Sequence, residues 1–560
     1  MDFRHPFLSG QLIAYIGNKR SLLPFLHRTF SRLAGDRSTV LFLDPFAGSG
    51  SVSRLARLMG FSVQASDWEP YSFIINSCHL GVAAGRLPHL FRDLGGIAAV
   101  LESLNHLPGP TEAECYISRH YAPRSTLGAD WRTERLFYTA ENALAIDAMR
   151  MRIEEMYPGV PADPQAFEEK MVLLAPLLYE AATHTNTSGV FKACHRGFGG
   201  HGSDALSRIM APVVLERPVL VDCPFPSKVF CEDVVAFLSS RRADICYLDP
   251  PYAVHQYGSN YFMLNSIALW DRPPVSAERG ADGRLRKKAG IRPDWVRTRS
   301  AFCSPTTAAS AFRDVLAAAD CRHLAVSYSS DGLVGLEQLC DMLCETGSLE
   351  VHSTDYVKYP GGKQSLGRKT STVEILLVVD REGRASAASR QRAAERLVEA
   401  RIAGLAARSF SPARIRAAFA VEPNALLMGL PAADAARIPM RDLYRFDDPA
   451  SAAAALCALP AADRQPFAER LTSCALLDNR EEIDVLVGIV RAEPDQARRR
   501  RLLRDALRLL NRFAHRKYRG LFERTLDSLQ NLAASDPALA DFGAGLDRIG
   551  ERAARRFAAQ

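Results

Sequence analysis

The sequence lacks long apolar runs, paired cysteines and a secretory pattern. Its longest apolar stretches, Met171–Tyr179 and Ile375–Val379, fall well short of the ~18 residues that span a membrane. Twelve cysteines are scattered without a C-x-x-C pair, which favours reduced thiols in a cytosolic protein over a disulfide framework or a zinc ribbon. The first residues, MDFRHPFLSGQ, show no basic segment followed by an apolar one, so we expect no secretory signal and a cytoplasmic location.

The composition is that of an ordinary globular protein, with 47% hydrophobic and 24% charged residues, which excludes a disordered or fibrous chain. At 560 residues the chain exceeds the size at which single cores divide, so we expect two or three domains. The net charge of +7 is uneven, because residues 1–380 are near neutral while residues 381–560 carry about 31 basic against about 23 acidic side chains. This asymmetry indicates either an acidic partner, nucleic acid first, or an arginine-rich helical surface.

Two kinds of pattern divide the chain. Residues 1–380 alternate short apolar runs with helical patterns, which is typical of an α/β domain. Within them, about 80–227 is too long for a simple crossover and is predicted to be an inserted helical subdomain. We expect a linker at 381–391 and an all-α domain at 392–560, where Arg498–Arg516 places leucines on one helical stripe. The predicted strands are Val40–Asp44, Phe61–Ser66, Lys228–Cys231, Ile245–Leu248, His323–Ser329, Val351–Tyr359 and Thr372–Val379.

A glycine-containing turn follows the first predicted strand and reads DPFAGSG over Asp44–Gly50. Its glycines allow a tight turn and a close approach to a ligand, and the next helix offers free N–H groups. A P-loop is excluded because no lysine follows the glycines. Asp44 favours a ligand amine over a phosphate. The acids Asp67 and Glu69 end the next strand, at a distance typical of ribose recognition in nucleotide-binding folds.

The tetrapeptide DPPY, Asp249–Tyr252, directly follows another apolar strand. Two prolines make a rigid loop whose carbonyls are free to accept hydrogen bonds. A carboxylate and a carbonyl aimed at one point accept both hydrogens of an amino group, and a tyrosine face stacks on a planar base. Methylation of a base amino group needs this combination.

The motifs YIGNKR (Tyr15–Arg20), DPFAGSG and DPPY, in this order, resemble the Dam-like class of S-adenosylmethionine-dependent DNA adenine methyltransferases with the alpha arrangement of motifs. The resemblance covers about residues 10–380 and implies a Rossmann-like sheet with an inserted target-recognition subdomain. Asn18 departs from it, since some members have a second glycine there. Other matching pieces are FYTAEN at 137–142, NTSGVFK at 186–192, Asp233, and SYS at 327–329.

The resemblance implies which residues contact the cofactor and the base. Asp44 would bind the methionine amino group, Asp67 the ribose, and Asp233 the adenine amino group of the cofactor. The catalytic set would be Asp249, Pro250 and Tyr252, which hold a target adenine flipped out of the duplex. No metal is expected. The implied cofactor-binding residues are Tyr15, Lys19, Asp44, Phe46, Gly48, Gly50, Asp67 and Asp233.

Double-stranded DNA is the expected partner, with a cognate restriction endonuclease as a further one, in a bacterial or phage-like setting. Seven basic residues and one acid lie between Arg284 and Arg299, which favours phosphate contacts. Basic residues of the late hairpin (Lys358, Lys363, Arg368 and Lys369) form a second candidate. The predicted nucleic-acid-binding residues are Arg284, Arg286, Lys287, Lys288 and Arg292.

Three alternatives remain open at this point. The same architecture can methylate adenine in RNA or the N4 amino group of cytosine in DNA, although aspartate at the first DPPY position favours adenine. A DNA-binding modification subunit without catalysis is the third. It is disfavoured because Asp44, Gly48, Gly50, Asp249 and Tyr252 are present together.

Overall fold

The computed structural model describes residues 1–112, 114–199, 205–329, 332–353, 374–384, 386–428, 436–514, 518–536 and 539–558. Among these, residues 1–353 and 374–393 form one compact unit, and residues 394–558 form a second. In this part of the chain no helix is long and apolar enough to cross a membrane.

A seven-stranded sheet forms the centre of the first unit, in the order β3-β2-β1-β4-β5-β7-β6. Five neighbouring strands, β3 to β5 in this order, are parallel, whereas β7 is antiparallel to both of its neighbours. The strands are β1 Leu41–Asp44, β2 Ser62–Ser66, β3 Lys228–Phe230, β4 Arg242–Leu248, β5 Asp320–Ser329, β6 Ser348–Ser353 and β7 Glu374–Asp380. The α/β prediction is confirmed, and each of the seven predicted strands overlaps an observed one. The strand predicted at Val351–Tyr359 does so only at 351–353, and its remainder, like residues 372–373 of the last predicted strand, lies outside the described residues. The four basic residues of the late hairpin lie outside the described residues.

Helices surround this sheet and fill the long segment between β2 and β3. The α-helices are α1 Pro6–Ser9, α2 Leu23–Ala34, α3 Ser51–Leu58, α4 Pro70–Asn76, α5 Gly96–Asn105, α6 Ile117–Tyr121, α7 Ala140–Met156, α8 Pro164–Thr183, α9 Ala205–Met210, α10 Val234–Leu238, α11 Tyr257–Asn260, α12 Phe262–Leu269, α13 Ala308–Ala318 and α14 Leu336–Cys344. Short 3-10 turns cover Arg20–Leu22, Ala84–His89, Arg92–Leu94, Pro293–Thr298 and Ala301–Cys303, and a π turn covers Ser77–Gly81.

The apolar run Met171–Tyr179 lies in α8, the central helix of the inserted segment. Asp163 caps its N-terminus by accepting the N–H of Ala166 at 2.7 Å, and Pro164 supplies a first-turn residue with a fixed φ angle. Most side chains of the run are buried in the main core, and the helix packs on α4, α7 and α12. A helix that is apolar on nearly all sides is stable only inside a core.

The second unit is mainly helical but also contains a four-stranded antiparallel sheet, β11-β10-β9-β8. The expected all-α domain is corrected in this respect. The strands escaped prediction because Ala425–Met428 consists of good helix formers, and only the alternating burial of Leu426 and Met428 marks it as a strand. Its strands are β8 Val421–Glu422, β9 Ala425–Met428, β10 Ala436–Arg441 and β11 Arg445–Phe446.

The helices of this unit pack the leucine stripe predicted at Arg498–Arg516, with Leu503 and Leu510 fully buried. Several arginines on the same helix are committed to internal ion pairs, such as Arg498 with Asp442 at 2.7 Å and Arg499 with Asp536 at 2.9 Å. Part of the positive charge in this unit is therefore structural. The helices are α15 Ala387–Ala406, which begins inside the predicted linker, α16 Pro412–Ala418, α17 Pro449–Cys457, α18 Ala461–Cys474, α19 Asn479–Ala492, α20 Gln496–Phe513, α21 Arg519–Ser535 and α22 Ala540–Ala558.

Candidate active site

A cavity of about 360 Å³ opens where β1, β2 and β4 end. This is the carboxyl edge of the parallel strands, beside the β1–β4 neighbours at which the strand order reverses, where open α/β sheets bind their ligands. The volume is within the range of small-molecule sites. Gly50 is the one predicted cofactor residue that does not line it. The predicted residues that do are Tyr15, Lys19, Asp44, Phe46, Gly48, Asp67, Asp233, Asp249, Pro250 and Tyr252.

Asp44 ends β1 and is 1% exposed. Its Oδ2 accepts a hydrogen bond from the Ser53 hydroxyl at 2.6 Å, whereas Oδ1 has no hydrogen-bond partner in the described part of the chain. Burial raises the pKa of Asp44 to about 7, although the Ser53 hydrogen bond opposes the rise. A buried acceptor without a partner costs free energy, so Asp44 is suited to receive a charged donor from a ligand.

The turn after Asp44 requires glycine at two positions. Gly48 has a φ of +50°, and a Cβ there would lie 2.7 Å from the Tyr15 ring. Gly50 has a φ of +80° at the start of α3, and a Cβ would lie 2.2 Å from Asn76 Oδ1. Both positions combine a left-handed backbone with a crowded neighbour. Ser72 donates to the Gly48 carbonyl at 2.7 Å and holds the turn in place.

The two acids after β2 have different contacts: Asp67 binds the glycine turn, and Glu69 binds Asn265. Asp67 accepts the N–H of Gly48 at 2.9 Å and that of Glu69 at 3.0 Å, so it braces the glycine turn. Burial raises its pKa to about 6. Glu69 also lines the cavity, and its Oε2 accepts from Asn265 at 2.5 Å while Oε1 has no partner among the described residues. Burial raises the pKa of Glu69 to about 7.

A buried ion pair joins the N-terminal motif to DPPY. Lys19 is 2% exposed, and its Nζ lies 3.0 Å from Asp249 Oδ1. Burial raises the pKa of Asp249 to about 6, against the lowering effect of Lys19. Burial lowers the pKa of Lys19, but Asp249 and Glu374 together outweigh it and hold the pKa well above its usual value. Lys19 is therefore a fixed cation behind the DPPY carboxylate.

Glu374, the first residue of β7, is a site residue that the sequence did not indicate. It is 5% exposed, lies 3.6 Å from Lys19 Nζ, and accepts the Tyr252 hydroxyl at 3.1 Å. Lys19 Nζ is also 5.1 Å from the centre of the Tyr252 ring. A glutamate opening an otherwise apolar strand, EILLVV, was the signal that could have found it.

Two tyrosines after DPPY hold the N-terminal motif, and the sequence did not single them out either. The Tyr257 hydroxyl donates to the Ile16 carbonyl at 3.0 Å, and the Tyr261 hydroxyl accepts the Ile16 N–H at 2.8 Å. Tyr15 stacks on Tyr261 with ring centres 4.9 Å apart. Asn18 accepts the N–H of Arg20 at 2.8 Å and starts the following turn.

Asp233 and Phe46 line the cavity and are less buried than Asp44. Asp233 is exposed and caps α10, with Oδ1 accepting the N–H groups of Val235 and Ala236 at 2.9 and 3.4 Å. Phe46 is half-buried, and its ring meets that of Phe302 edge-on with centres 5.4 Å apart.

Comparisons with known proteins identify the family. A sequence profile described as "D12 class N6 adenine-specific DNA methyltransferase" matches residues 15–289. "Type II methyltransferase M.NlaIII" of Neisseria lactamica is 30% identical over 370 residues, which cover 66% of this chain and 99% of the relative.

The chain belongs to the D12 class of N6 adenine-specific DNA methyltransferases. "Type II methyltransferase M.CviAII" of Paramecium bursaria Chlorella virus 1 is 29% identical, over 63% of this chain and 95% of the relative. "Modification methylase LlaI" of Lactococcus lactis subsp. lactis is 28% identical, over 64% of this chain and 54% of the relative. The predicted family is confirmed, and an adenine-specific DNA enzyme is supported over the RNA, cytosine and non-catalytic alternatives.

In the basic segment, Arg284–Arg299, some of the predicted DNA-binding side chains are exposed and one is buried. Arg286 is exposed and lies 3.1 Å from Glu278. Arg292 differs, because its side chain is 3% exposed and it pairs with Asp271 at 2.6 Å and Asp294 at 2.7 Å. This burial and the pairing of Nε and Nη2 with carboxylates argue against the predicted DNA contact of Arg292, which stays a prediction. Arg284, Lys287 and Lys288 are exposed.

Proposed function

We propose that the cavity binds S-adenosylmethionine next to an adenine flipped out of duplex DNA, and that Asp249, Pro250 and Tyr252 hold that adenine for methylation. The observation that carries the proposal is the meeting of Asp44 and Asp249 at one cavity across neighbouring strands β1 and β4. Asp44 has a buried oxygen to which the described residues offer no hydrogen-bond partner, and Asp249 is paired with Lys19.

The hydrogen-bond acceptors that line the cavity fit the cofactor. Asp44 Oδ1 would accept the methionine ammonium, a charged donor that suits a buried carboxylate. The left-handed turn at Gly48 leaves no side chain between the backbone and the ligand. We assign the ribose to Asp67, as the family pattern implies, and add Glu69 because its Oε1 is available. Asp233 would accept from the adenine amino group at the exposed end.

Base flipping costs a few kcal/mol, and stacking on the Tyr252 ring offsets roughly 1–3 kcal/mol of it. The Tyr252 ring is held by Glu374 at its hydroxyl and faces Lys19. The flipped base therefore meets a surface that is already oriented, which reduces the entropy lost on binding.

The chemistry at DPPY follows from hydrogen-bond acceptors. When bound, S-adenosylmethionine supplies an electrophilic methyl group. Asp249 Oδ1 faces Lys19, so Oδ2 and the Pro250 carbonyl would accept the two amino hydrogens of adenine. Acceptors in these positions favour a pyramidal amino nitrogen, whose lone pair points out of the plane of the base and is no longer delocalised into the ring. The Asp249 carboxylate then stabilises the positive charge that develops on this nitrogen, and the fixed geometry adds a proximity effect.

Incubation with labelled S-adenosylmethionine and genomic DNA, followed by mass spectrometry of the nucleosides, tests the proposal. The expected product is N6-methyladenine. Asp249→Ala should abolish it while leaving cofactor binding largely intact. Asp320→Asn, an exposed acid at the start of β5, is the matched control and should retain activity.

Methylcytosine as the product, methylation of RNA alone, or robust activity of Asp249→Ala would contradict the proposal. We further propose double-stranded DNA as the substrate form, a cognate restriction endonuclease as partner, and the cytoplasm as the location. The names of the relatives, which include two Type II methyltransferases, support the partner.

A further inference from the structure

Trp131 in the inserted segment is surrounded by four cationic side chains from three separate stretches of chain. The ring centre lies 4.4 Å from Lys288 Nζ and 4.6 Å from Arg196 Cζ. Arg132 and Arg284 follow at 5.2 and 6.0 Å. We call these five residues the Trp131 patch. The four cations are exposed, and Trp131 is half-buried.

A buried arginine builds this patch. Arg135 is 6% exposed and donates to the carbonyls of Lys288 at 3.0 Å, Lys287 at 2.8 Å and Ser276 at 2.6 Å. The N–H of Leu285 donates to the carbonyl of Arg132 at 3.1 Å. The backbone of the basic segment, Arg284–Arg299, is therefore bound to the insert, and the cations Arg284 and Lys288 are held next to Trp131.

The charge of the patch is poorly balanced within the protein. Asp130 lies 3.4 Å from Arg132, and Asp282 lies 3.6 Å from Arg284. Ion pairs as exposed as these are screened by water and contribute little. For Arg196 and Lys288, the described residues provide no carboxylate within 4.0 Å. Four like charges on one surface repel each other, and a polyanion would relieve that repulsion.

We propose that the Trp131 patch binds backbone phosphates of the duplex whose target adenine enters the cavity, an inference that rests on the function proposed above. Lysine and arginine contacts to phosphate position a duplex without reading its sequence. The same stretch of chain leads from Lys288 to the cavity, because Thr298 and Arg299 line it. Gln256, just after DPPY, fastens Ser300 through two hydrogen bonds of 3.2 and 2.8 Å.

The test measures binding of a fluorescent duplex of arbitrary sequence, about 30 base pairs long, between 50 and 200 mM salt. Wild type is compared with Arg196→Gln/Lys288→Gln. The matched control is Arg32→Gln/Arg242→Gln, which also removes two exposed positive charges. Arg242 begins β4, at the strand end opposite the cavity.

Each phosphate contact contributes about 0.9 to the slope of log Kd against log salt. The patch variant should therefore lose about 1.8 from the slope, and its binding defect should grow about 12-fold from 200 to 50 mM salt. The control should keep the wild-type slope. Melting temperatures and cofactor Kd values verify folding, and Lys288→Gln alone, with an expected loss of about 0.9, serves if the double variant is unstable.

An unchanged slope, a slope reduced equally in the control, or a change seen with RNA but not with duplex DNA would overturn the proposal. Failure of the proposed function gives a different result. In that case wild-type protein forms no N6-methyladenine on genomic DNA, whatever the slopes of the variants on the short duplex.

Discussion

Replacing Glu374 tests whether this residue, Tyr252 and Lys19 act as one buried network. The Glu374 carboxylate accepts the Tyr252 hydroxyl at 3.1 Å and lies 3.6 Å from Lys19 Nζ. A hydrogen bond to a charged group contributes about 1.5–3 kcal/mol. If the base requires the oriented ring, Glu374→Ala should lower kcat/KM for DNA by about 10- to 150-fold.

Glu374→Gln separates charge from hydrogen bonding, because the amide oxygen still accepts the tyrosine proton. Its loss of activity should be smaller than that of Glu374→Ala. Glu374 is one of the groups that raise the pKa of Asp249, after burial. Burial raises the pKa of Asp249 to about 6, so if this carboxylate sets the acid limb of the kcat–pH profile, removing the charge of Glu374 should move that limb to lower pH than in wild type. Single-turnover methylation from pH 5 to pH 8 measures both effects.

Tyr252→Phe completes a double-mutant cycle with Glu374→Ala. Coupling of the two residues predicts that the double variant is hardly worse than Glu374→Ala, because the hydroxyl then has no carboxylate to contact. Additive losses of kcat/KM in the double variant would refute the network. So would a kcat–pH profile whose acid limb does not move in Glu374→Gln.

Three further predictions concern the end of the cavity to which we assign the cofactor. Asp44→Asn should weaken S-adenosylmethionine binding about 10- to 150-fold in calorimetry, through loss of one charge-assisted contact; unchanged affinity would contradict the assignment. Burial raises the pKa of Asp44 to about 7, so the folded state binds a proton that the unfolded state lacks between about pH 4 and 7. The unfolding free energy of the cofactor-free enzyme should therefore fall as pH rises through this range, by up to about 1.4 kcal/mol per pH unit from this group. Urea titrations should show a flatter dependence for Asp44→Asn, and equal slopes would contradict this reasoning. Gly48→Ala should lower both the melting temperature and cofactor affinity because of the clash with Tyr15. Gly60→Ala, at a φ of +82° where no atom of the described residues lies within 4 Å of the added Cβ, should cost only the backbone strain, and an equal cofactor defect in both variants would refute the clash.

The sheet and the cavity of the first unit could be predicted because the sequence signals for them are local. An apolar run followed by DPFAGSG or DPPY specifies a strand that ends in a turn, since glycine and proline restrict the backbone whatever lies elsewhere in the chain. Parallel strands then place both turns at one edge of the sheet. The cavity contains ten of the eleven predicted cofactor and catalytic residues for this reason.

Burial could not be predicted for the basic segment. Arg284 and Arg292 look alike in sequence, yet one is exposed beside Trp131 and the other is buried between two aspartates. A charged side chain becomes a surface contact or an internal ion pair according to which acids folding brings near it. Of the two partners of Arg292, Asp294 is a sequence neighbour, whereas Asp271 is 21 residues away and comes near only when the chain folds.

By itself the sequence determined the order of the motifs, the α/β architecture of the first 380 residues and the chemistry expected at Asp44 and Asp249. Tertiary structure alone decided that Lys19, Asp249 and Glu374 form one charge network, although Lys19 and Glu374 stand at opposite ends of the catalytic unit. It also decided that Arg135 fastens the basic segment to the insert. Backbone turns depend on neighbouring residues, whereas electrostatic partners depend on distances that exist only after the chain has folded.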